Sequence, residues 1–494
     1  MRGWRISCLL AAGLGLAPAA VAQPRERAPR AAAPAAPRNM PEGSIPLTLP
    51  ETVFLAIRSN RAIRSQYLQR VSDRFALRVT EARFDPQYNI ATSVNRARIG
   101  GVTTTATLVN PNATILLPTG AQFTFGWQGS QNNIRNQNPR AIGQATFQVI
   151  QPLLAGAGID YNMAPTRIAR LQEIGSQLQL KALVIDQVSQ AILGYRALLQ
   201  AQEQLRISDE ALRRARELAS VNVALAAAGR IAQVELIQAE TSIAQQELTL
   251  VGAQNAHQQA RLALLTFLAV NQSQRIWAVE RPAADSARVA LPRALEAATN
   301  TQPDYLRSIL AIEVSRINLD VARNQRLWDL SFVAGSAAGG AQTADIARTL
   351  EQLSSARNDF NIGLRLNIPL GQIAREQPEV QATVALRQAE IAREGARDRL
   401  RQQVEDTVRN IDALRRQAEL AKRARELAGM QLETELVKLQ VGRSSNFQVV
   451  SFQGSLQAAE SAELQAVIAY ANALTQLDQV LGTTLDTWQI SLND

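Results

Sequence analysis

Apolar residues recur at helical spacing between positions 171 and 199, where they form two separate stripes. The first stripe contains Leu171, Ile174, Leu178, Ala182, Ile185, Ile192 and Leu199. The second contains Leu180, Val184, Val188, Ala191, Tyr195 and Leu198. A free-standing coiled coil needs one stripe, so two stripes predict a helix with a neighbour on each side. The same spacing returns late in the chain at Leu400, Val404, Val408 and Ile411.

Elsewhere the period changes to two, which is typical of strands with one apolar and one polar face. Five stretches have this alternation: 88–94, 121–128, 144–149, 328–334 and 360–368. Polar connections at 110–112, 132–138 and 339–358 are expected to be loops. Such strands suit either a soluble sandwich or a membrane wall with a lipid face and a wet lumen. The concentration of Phe, Trp and Tyr in these stretches favours the membrane wall, where aromatic residues anchor at the interfaces.

Four strands are too few to close a barrel, because the open edges would leave backbone groups unpaired in lipid. A membrane role therefore requires several chains. The strand at 121–128 is one more than four, and we expect it to form an enlarged external hairpin.

Two long helical segments, 163–270 and 373–481, are each interrupted once, at Gly229 and at Gly442. Gly442 can take the left-handed conformation that ends a helix, Lys438 lies near the negative end of that helix, and 444–446 supplies N-cap oxygens for the next one. Both segments are therefore predicted to be helical hairpins. At 1.5 Å per residue, the arm from 373 to 441 would be about 100 Å long.

Matching features indicate a duplication. Gly-Arg occurs at both helix breaks, at 229–230 and again 213 residues later. Leu-Pro at 49–50 recurs 242 residues later, whereas Pro-Leu at 152–153 recurs only 217 residues later. The first copy, predicted at 47–289, thus has about 25 more residues before its hairpin than the second, predicted at 290–488, and residues 489–494 form a tail.

The first 22 residues have the pattern of a secretory signal peptide, in which Arg2 and Arg5 precede an apolar run and 20–22 is a small-residue cleavage site. The Pro-, Ala- and Arg-rich segment 23–46 is expected to be a disordered lead-in. The single cysteine, Cys8, lies within the signal, so the exported chain is expected to have neither a disulfide nor thiol chemistry.

Charge and candidate chemistry narrow the function further. The chain has 52 Lys and Arg against 43 Asp and Glu, but both signs alternate along the helices of an exported chain, so nucleic-acid binding is not expected. His257 lies among Gln and Ala without the Cys or His neighbours of a metal site, and 156–158 lacks a basic partner for phosphate. The sequence predicts no enzyme activity, no metal site and no cofactor.

Taken in order, these features resemble the TolC-like outer-membrane efflux proteins. The resemblance covers about residues 47–488 and includes the early helix ending at 84–86 (Phe-Asp-Pro), the strand ends at 151–154 and 366–370, and the two glycine-centred turns. It implies a mainly α fold with β structure, in which long helical hairpins form a periplasmic α-barrel. That α-barrel would continue into a trimeric, twelve-stranded β-barrel in the outer membrane, with four strands from each chain.

The resemblance also implies partners. A homotrimer would contact outer-membrane lipid, a periplasmic adaptor protein and an inner-membrane transporter of the RND, ABC or MFS type. The hairpin tips at Gly229 and Gly442 would contact the adaptor and form the periplasmic entrance. The candidate entrance residues are Arg230, Glu235, Leu439, Arg443, Gln448 and Ser451.

Positions relative to the turn glycines give these candidates their roles within the resemblance. Glu235 matches an acidic tip residue, and Arg443 lies next to the position of a gating arginine. The sequence departs from the family pattern where Leu439 replaces an aromatic residue, and where Gln448 and Ser451 replace pore-lining acidic residues. We expect Glu235 to form a latch with Arg230 or Arg443; the alternative is that all three are solvated turn charges.

The predicted function is a passive exit duct of a tripartite efflux or one-step (type I) secretion system, which exports small molecules or polypeptides. The alternative from another class is a soluble periplasmic helical scaffold or adaptor. An adaptor would normally have a single hairpin and would lack the aromatic-rich alternating strands.

Overall fold

The computed structural model describes residues 40–41, 43–134, 138–229, 231–280, 289–351 and 358–492. Contacts divide the chain into residues 1–42 and residues 43–494, and the second unit contains all the elements described below. The predicted signal at 1–22 and most of the predicted lead-in at 23–46 lie outside the described residues.

Most of the second unit is helical. Its α-helices are α1 (Leu49–Ser59), α2 (Arg61–Glu81), α3 (Ile159–Ala227), α4 (Gln233–Phe267), α5 (Leu291–Thr301), α6 (Pro303–Arg326), α7 (Ile346–Glu351), α8 (Gln377–Gln440), α9 (Asn446–Leu481) and α10 (Thr484–Thr487). Short 3-10 helices follow α2 (Ala82–Phe84) and precede α8 (Ile373–Arg375). Among the described residues, no helix combines the length and the apolar character needed to cross a membrane.

Local sequence explains where the early helices begin. Thr48 and Glu51 form a capping box at the start of α1, and Asn60 accepts hydrogen bonds from two backbone N–H groups at the start of α2. The same place in the second copy is occupied by Gln302, whose side chain caps α6. The predicted single early helix is therefore two helices, because the extended backbone at Asn60 ends α1 and its side chain starts α2.

The strands are β1 (Ile45–Leu47), β2 (Gln87–Ile99), β3 (Val102–Leu116), β4 (Gln122–Ile134), β5 (Arg140–Pro152), β6 (Ile276–Ala278), β7 (Asp329–Thr343) and β8 (Asn358–Asn367). A parallel pair joins β1 to β6. The other six form one antiparallel sheet in the order β2-β3-β4-β5-β7-β8. The sheet thus has two strands more than the four that the resemblance implies.

The predicted loop at 110–112 is wrong, because these residues lie inside β3, where Pro111 is opposite Ile90 of β2. On its other edge, β3 pairs with β4 on both sides of this segment but not at Asn110 and Pro111. Proline has no N–H to donate, so the ladder is interrupted on one edge while the strand continues. The Asn-Pro-Asn sequence therefore marks a gap in pairing rather than a turn.

Two further predictions need correction. The strand predicted at 121–128 is not an external hairpin but belongs to β4, which pairs with β3 on one edge and β5 on the other. The loop predicted at 339–358 is only partly a loop, because β7 continues to Thr343 and α7 follows it. The loop predicted at 132–138 begins later than expected, since β4 continues to Ile134, and residues 135–137 lie outside the described part.

The core lies where the two hairpins pack together. Every residue of the second stripe of α3 is buried, and so are Ile185, Ile192 and Leu199 of the first stripe. These residues pack against α1, α4 and α9. Leu400, Val404 and Ile411 of α8 are also buried and pack on α9. The Tyr195 hydroxyl donates to the carbonyl oxygen of Leu47 at 3.1 Å, and burial raises the pKa of this phenol. These contacts confirm the prediction of a helix with neighbours on both sides.

Candidate functional site

The tips of the two hairpins have the same helix-ending geometry. Gly229 follows α3 and Gly442 follows α8, and both have a φ of +72°. The N–H of Gly442 donates to Leu439 O at 3.0 Å and the N–H of Arg443 donates to Lys438 O at 2.8 Å, which is a Schellman motif. The N–H of Gly229 makes the equivalent bond to Ala226 O at 2.9 Å. Both predicted helix breaks are confirmed.

The start of α9 is closed by side chains. Ser445 is its N-cap, and the Ser445 hydroxyl and the Gln448 side chain form a capping box. Gln448 therefore stabilises the helix start, and its Oε1 lies 3.2 Å from the Ser444 hydroxyl oxygen. This gives Gln448 a local structural role besides its predicted place at the entrance.

A buried amide pair joins the two tips. The Nδ2 of Asn222 in α3 donates to Oδ1 of Asn446 in α9 at 2.8 Å, and both residues are fully buried. Asn446 in turn donates through Nδ2 to the carbonyl oxygen of Glu235 in α4 at 3.3 Å. The sequence alone does not indicate this pair, because the two asparagines are 224 positions apart and neither belongs to a recognisable motif.

A second polar cluster lies inside the tip of the α8–α9 hairpin. The carboxylate of Glu435 is buried, accepts a hydrogen bond from the Ser444 hydroxyl at 2.5 Å and contacts the Lys438 ammonium at 3.1 Å. The hydrogen bond from Ser444, followed by Lys438, lowers the pKa of Glu435. The only sequence signal for this cluster is the spacing of three residues between Glu435 and Lys438 on one helix.

The structure places the predicted latch residues near the tips without joining them. The side chain of Glu235 is half-buried in the first turn of α4, whereas that of Arg443 is exposed. Among the described residues, no ion pair within the chain joins Glu235 to Arg443. Arg230 lies outside the described residues. The latch therefore stays a prediction, either with Arg230 or as a contact between Glu235 and Arg443 of neighbouring chains.

The other candidates divide into buried and exposed. Leu439 is buried against Leu218 and Val449 in an apolar cluster that also contains Leu432, so its side chain packs inside the chain. Ser451 is exposed on α9. Of the six predicted entrance residues, Leu439 thus has a packing role, which follows from its position on the inner face of α8.

Within the described ranges, no cluster of three or more His, Cys, Asp or Glu residues could hold a metal ion. His257 is buried in α4, and its ring packs edge-on against Trp277 with centroids 5.5 Å apart. Burial, and next the neighbouring Arg261, lower the pKa of His257.

No protein-family model and no curated protein matches the sequence. Solved structures match it in three dimensions. CusC, which forms a transmembrane channel, is similar with a TM-score of 0.68 and 17% identity, over 88% of this chain and 91% of CusC. The Campylobacter jejuni outer-membrane channel CmeC is similar with a TM-score of 0.67 and 14% identity, over 88% of this chain and 86% of CmeC. The Neisseria gonorrhoeae outer-membrane channel MtrE, in its open state, is similar with a TM-score of 0.68 and 15% identity, over 88% of this chain and 89% of MtrE.

The TM-scores establish the fold of the chain. Sequence identities this low do not establish its activity. The structural neighbours are channels rather than enzymes, and their outer-membrane location agrees with the location expected from the sequence. The resemblance to the TolC-like outer-membrane efflux proteins is thereby confirmed at the level of the fold.

Proposed function

We propose that the chain is one subunit of a homotrimeric exit duct, which crosses the outer membrane and passively conducts cargo delivered by partner proteins. The observation that carries this proposal is a pair of apolar seams that are exposed in the described part of the chain, one on α4 and one on α8. Around the tips the helices pack in the series α8, α9, α3, α4, so the two seams belong to the two end members.

The seam on α4 has the spacing of a coiled coil. Val234, Ile237, Leu248 and Val251 are each more than 60% exposed. Thr241 and Ala244 occupy the positions between them, so that steps of three and four residues alternate along the helix. A regular seam of this kind is expected to be covered by another helix.

The seam on α8 has the same spacing. Its exposed residues are Leu420, Leu427, Met430, Val437 and, just after the helix, Val441. Because one seam lies at each end of the helix series, α4 of one copy can pack against α8 of the next. This contact is heterologous, so repeating it closes a ring of identical chains when the rotation between neighbours divides a full turn. The resemblance implies that three copies complete the ring.

The six-stranded sheet supports a location in the outer membrane. One face carries Phe, Ile, Leu, Val and Tyr, and most of these side chains are exposed in the single chain. The opposite face carries mainly Asn, Gln, Ser and Thr. The edge strands β2 and β8 are exposed along their whole length. Joining the sheets of neighbouring copies would pair these edges, with apolar residues towards lipid and polar residues towards a lumen.

We place the periplasmic entrance at the tips. Gly229 and Gly442 mark the surface offered to an adaptor protein, which would connect the duct to an inner-membrane transporter. In the closed ring, Glu235 of one chain would pair with Arg443 or Arg230 of its neighbour. The cargo would be small molecules or polypeptides, since efflux and one-step secretion use the same duct, and the chain itself would catalyse no reaction.

The trimer is tested by the native mass of the protein extracted in mild detergent from fractionated envelopes. We expect a trimer from the outer-membrane fraction. The variant Leu248→Glu should dissociate it, because a charge would be buried in the seam, whereas Leu248→Met should leave it intact. A monomer of the unchanged protein in the soluble periplasm would reject the duct and favour the periplasmic scaffold.

The latch is tested by single-channel conductance in planar bilayers. We expect the double variant Glu235→Ala with Arg443→Ala to raise the conductance. The control is Arg401→Ala with Glu405→Ala, an exposed ion pair at 2.8 Å within α8 and away from the tips. Equal conductance of the tip variant and the unchanged protein would show that the tip charges are solvated.

A further inference from the structure

We propose that the β3–β4 hairpin is part of the barrel wall, so that each chain contributes six strands and three chains close an eighteen-stranded barrel. This inference rests on the proposed function, in which the sheet lies in the outer membrane of a trimer. It differs from the twelve strands that the resemblance implies.

The pairing of the hairpin is the first argument. Strand β3 pairs with β2 from Val102 to Thr114, and β4 pairs with β5 from Gln122 to Asn132. Consequently β2 has no pairing with β5, which would be its neighbour in a four-stranded sheet. Removing the hairpin from the wall would break two ladders of eleven or more residue pairs.

The positions of the two ends of the hairpin are the second argument. Strands β2 and β3 are joined at one end by Gly100 and Gly101, both with positive φ. The β3–β4 turn lies at the other end, beside the start of α3, where the N–H of Gly158 donates to Thr119 O at 3.1 Å. A side chain at Gly120 would lie 2.7 Å from Asn162 Nδ2, so this turn is tightly packed on the helical part. Both inserted strands therefore run from the helices to the distal turns.

The continuity of the two faces is the third argument. In β4, Phe123, Phe125 and Trp127 lie on the same side as Phe147 of β5. The register places Ala113 and Ile115 of β3 on this side too. The opposite side of the hairpin carries Asn112, Thr114, Thr124 and Gln128. The hairpin thus has an apolar outer face and a polar inner face, as a membrane wall requires and an external hairpin does not.

The sequence duplication is an independent argument. The first copy has about 25 more residues than the second between its early helix and its helical hairpin. Strands β3 and β4 occupy this part of the first copy, and the second copy has only β7 and β8 there. One inserted β-hairpin accounts for the difference.

Six strands per chain allow closure without a parallel pair. Because six is even, β8 of one chain runs antiparallel to β2 of the next, as in every other pair of the sheet. With strands about 4.8 Å apart and tilted by about 40°, twelve strands give a barrel about 24 Å across and eighteen give about 36 Å.

A barrel of this width changes where cargo is selected. Its inner face carries mostly amide and hydroxyl side chains, with Arg365 of β8 among the few charges. Such a mouth would pass bulky polar cargo with little preference for charge. Selection by size would then occur at the hairpin tips, which are the narrower part of the duct.

Single cysteines test the position of the hairpin, because the only natural cysteine is Cys8. Membrane-impermeant maleimide would be applied to outer-membrane vesicles carrying Phe125→Cys or Thr124→Cys in β4. The matched controls are Ile362→Cys and Asn361→Cys in β8, and Phe125 and Ile362 are similarly exposed in the single chain, at 60% and 71%. We expect labelling at 124 and 361 and protection at 125 and 362 until detergent is added.

The outcomes separate the two proposals. If 362 is protected and 125 is labelled, the hairpin is outside the wall and this inference fails while the barrel stands. If both are labelled, the sheet is not in the membrane and the proposed function fails with it.

Strand number gives a second, direct measurement. Electron cryomicroscopy of the trimer in nanodiscs should show eighteen strands, and twelve would overturn the inference. A variant in which Gly-Gly replaces residues 100–139 joins β2 directly to β5. We expect it to form a twelve-stranded trimer whose mouth excludes polyethylene glycols that enter the unchanged protein.

Discussion

The two copies of the repeated unit agree in their helices and differ in their strands. Helices α1 and α5 both have 11 residues and begin 242 positions apart, and the turn glycines Gly229 and Gly442 have the same φ. The first copy has four strands in the sheet and the second has two. An antiparallel hairpin leaves and re-enters a sheet at the same end, so adding one widens the sheet without moving the helices that follow. Strand number is therefore easier to change than helix position.

The ends of the two hairpins also differ. Helix α9 ends at Gly482, with a φ of +75°, whereas α4 ends near Ala269, which lies 213 positions earlier and has a φ of +53°. The same left-handed position is thus occupied by glycine in one copy and by alanine in the other. The backbone of Thr301 and Gln302 comes close to Gly482, where an added Cβ would lie 2.8 Å from Thr301 O. Crowding, and not conformation alone, explains why glycine occupies the second site.

The largest loss of stability is expected from Gly482→Ala. The new methyl group would lie 2.8 Å from Thr301 O in a left-handed backbone, so strain and overlap together should cost about 2 to 4 kcal/mol. The control is Gly442→Ala, which has a similar φ but open space around it and should cost about 1 kcal/mol. Thermal unfolding in detergent, followed by far-ultraviolet circular dichroism, measures both. Equal losses would show that crowding at Gly482 is unimportant.

A smaller loss of stability is expected from Asn446→Ala, which removes the hydrogen bond between the two tips. The Asn222 amide would be left buried without a partner, at a cost of about 1 to 3 kcal/mol. The double variant with Asn222→Ala should cost less than the sum of the single variants, because the two residues share one hydrogen bond. The matching position in the first copy, Gln233, is exposed, so Gln233→Ala should change stability by less than about 0.5 kcal/mol. If the losses of stability from the two single variants add up in the double variant, Asn222 and Asn446 do not interact.

An increase in stability is expected from Ala269→Gly, which gives the first copy the glycine found in the second. Relief of the left-handed strain, offset by the greater flexibility of glycine in the unfolded chain, should stabilise the protein by about 0.5 to 1 kcal/mol. The same change at Ala263, in the last turns of α4, should instead lose about 0.5 to 1 kcal/mol. A lower thermal midpoint for Ala269→Gly would contradict this expectation.

The smallest effect concerns His257, whose counterpart 213 positions later is the buried Tyr470. The pKa of His257 is lowered in the folded chain, so the unfolded chain binds the proton more readily. Its contribution to stability is present above the ordinary histidine pKa of about 6.5 and is lost as the pH falls through it. His257→Tyr should therefore reduce the drop in thermal midpoint between about pH 7.5 and pH 5.5. If the drop in thermal midpoint is unchanged in this variant, groups other than His257 cause it.

Local sequence was sufficient where a residue's own chemistry decides the backbone. Glycine at 229 and 442 allows a left-handed turn, so both helix breaks could be predicted without knowledge of any neighbour. The period of apolar residues likewise predicted α3 and its two packed faces, because burial follows spacing along a helix. Four of the six long strands were located for the same reason, although β2 and β7 continue five and nine residues beyond their predicted ends, and a fifth, β4, was found but given the wrong place.

Tertiary structure decided what depends on distant partners. Strand β3 has a weak apolar alternation and contains Asn110-Pro111-Asn112, which by itself favours a turn; pairing with β2 and β4 keeps it extended. The burial of Leu439 depends on Leu218 of α3 and Val449 of α9, which lie on other helices of the chain. The Asn222–Asn446 pair exists only because two hairpins meet at their tips. Periodicity and turn chemistry are properties of neighbouring residues along the chain, whereas pairing and burial depend on residues that only folding brings together.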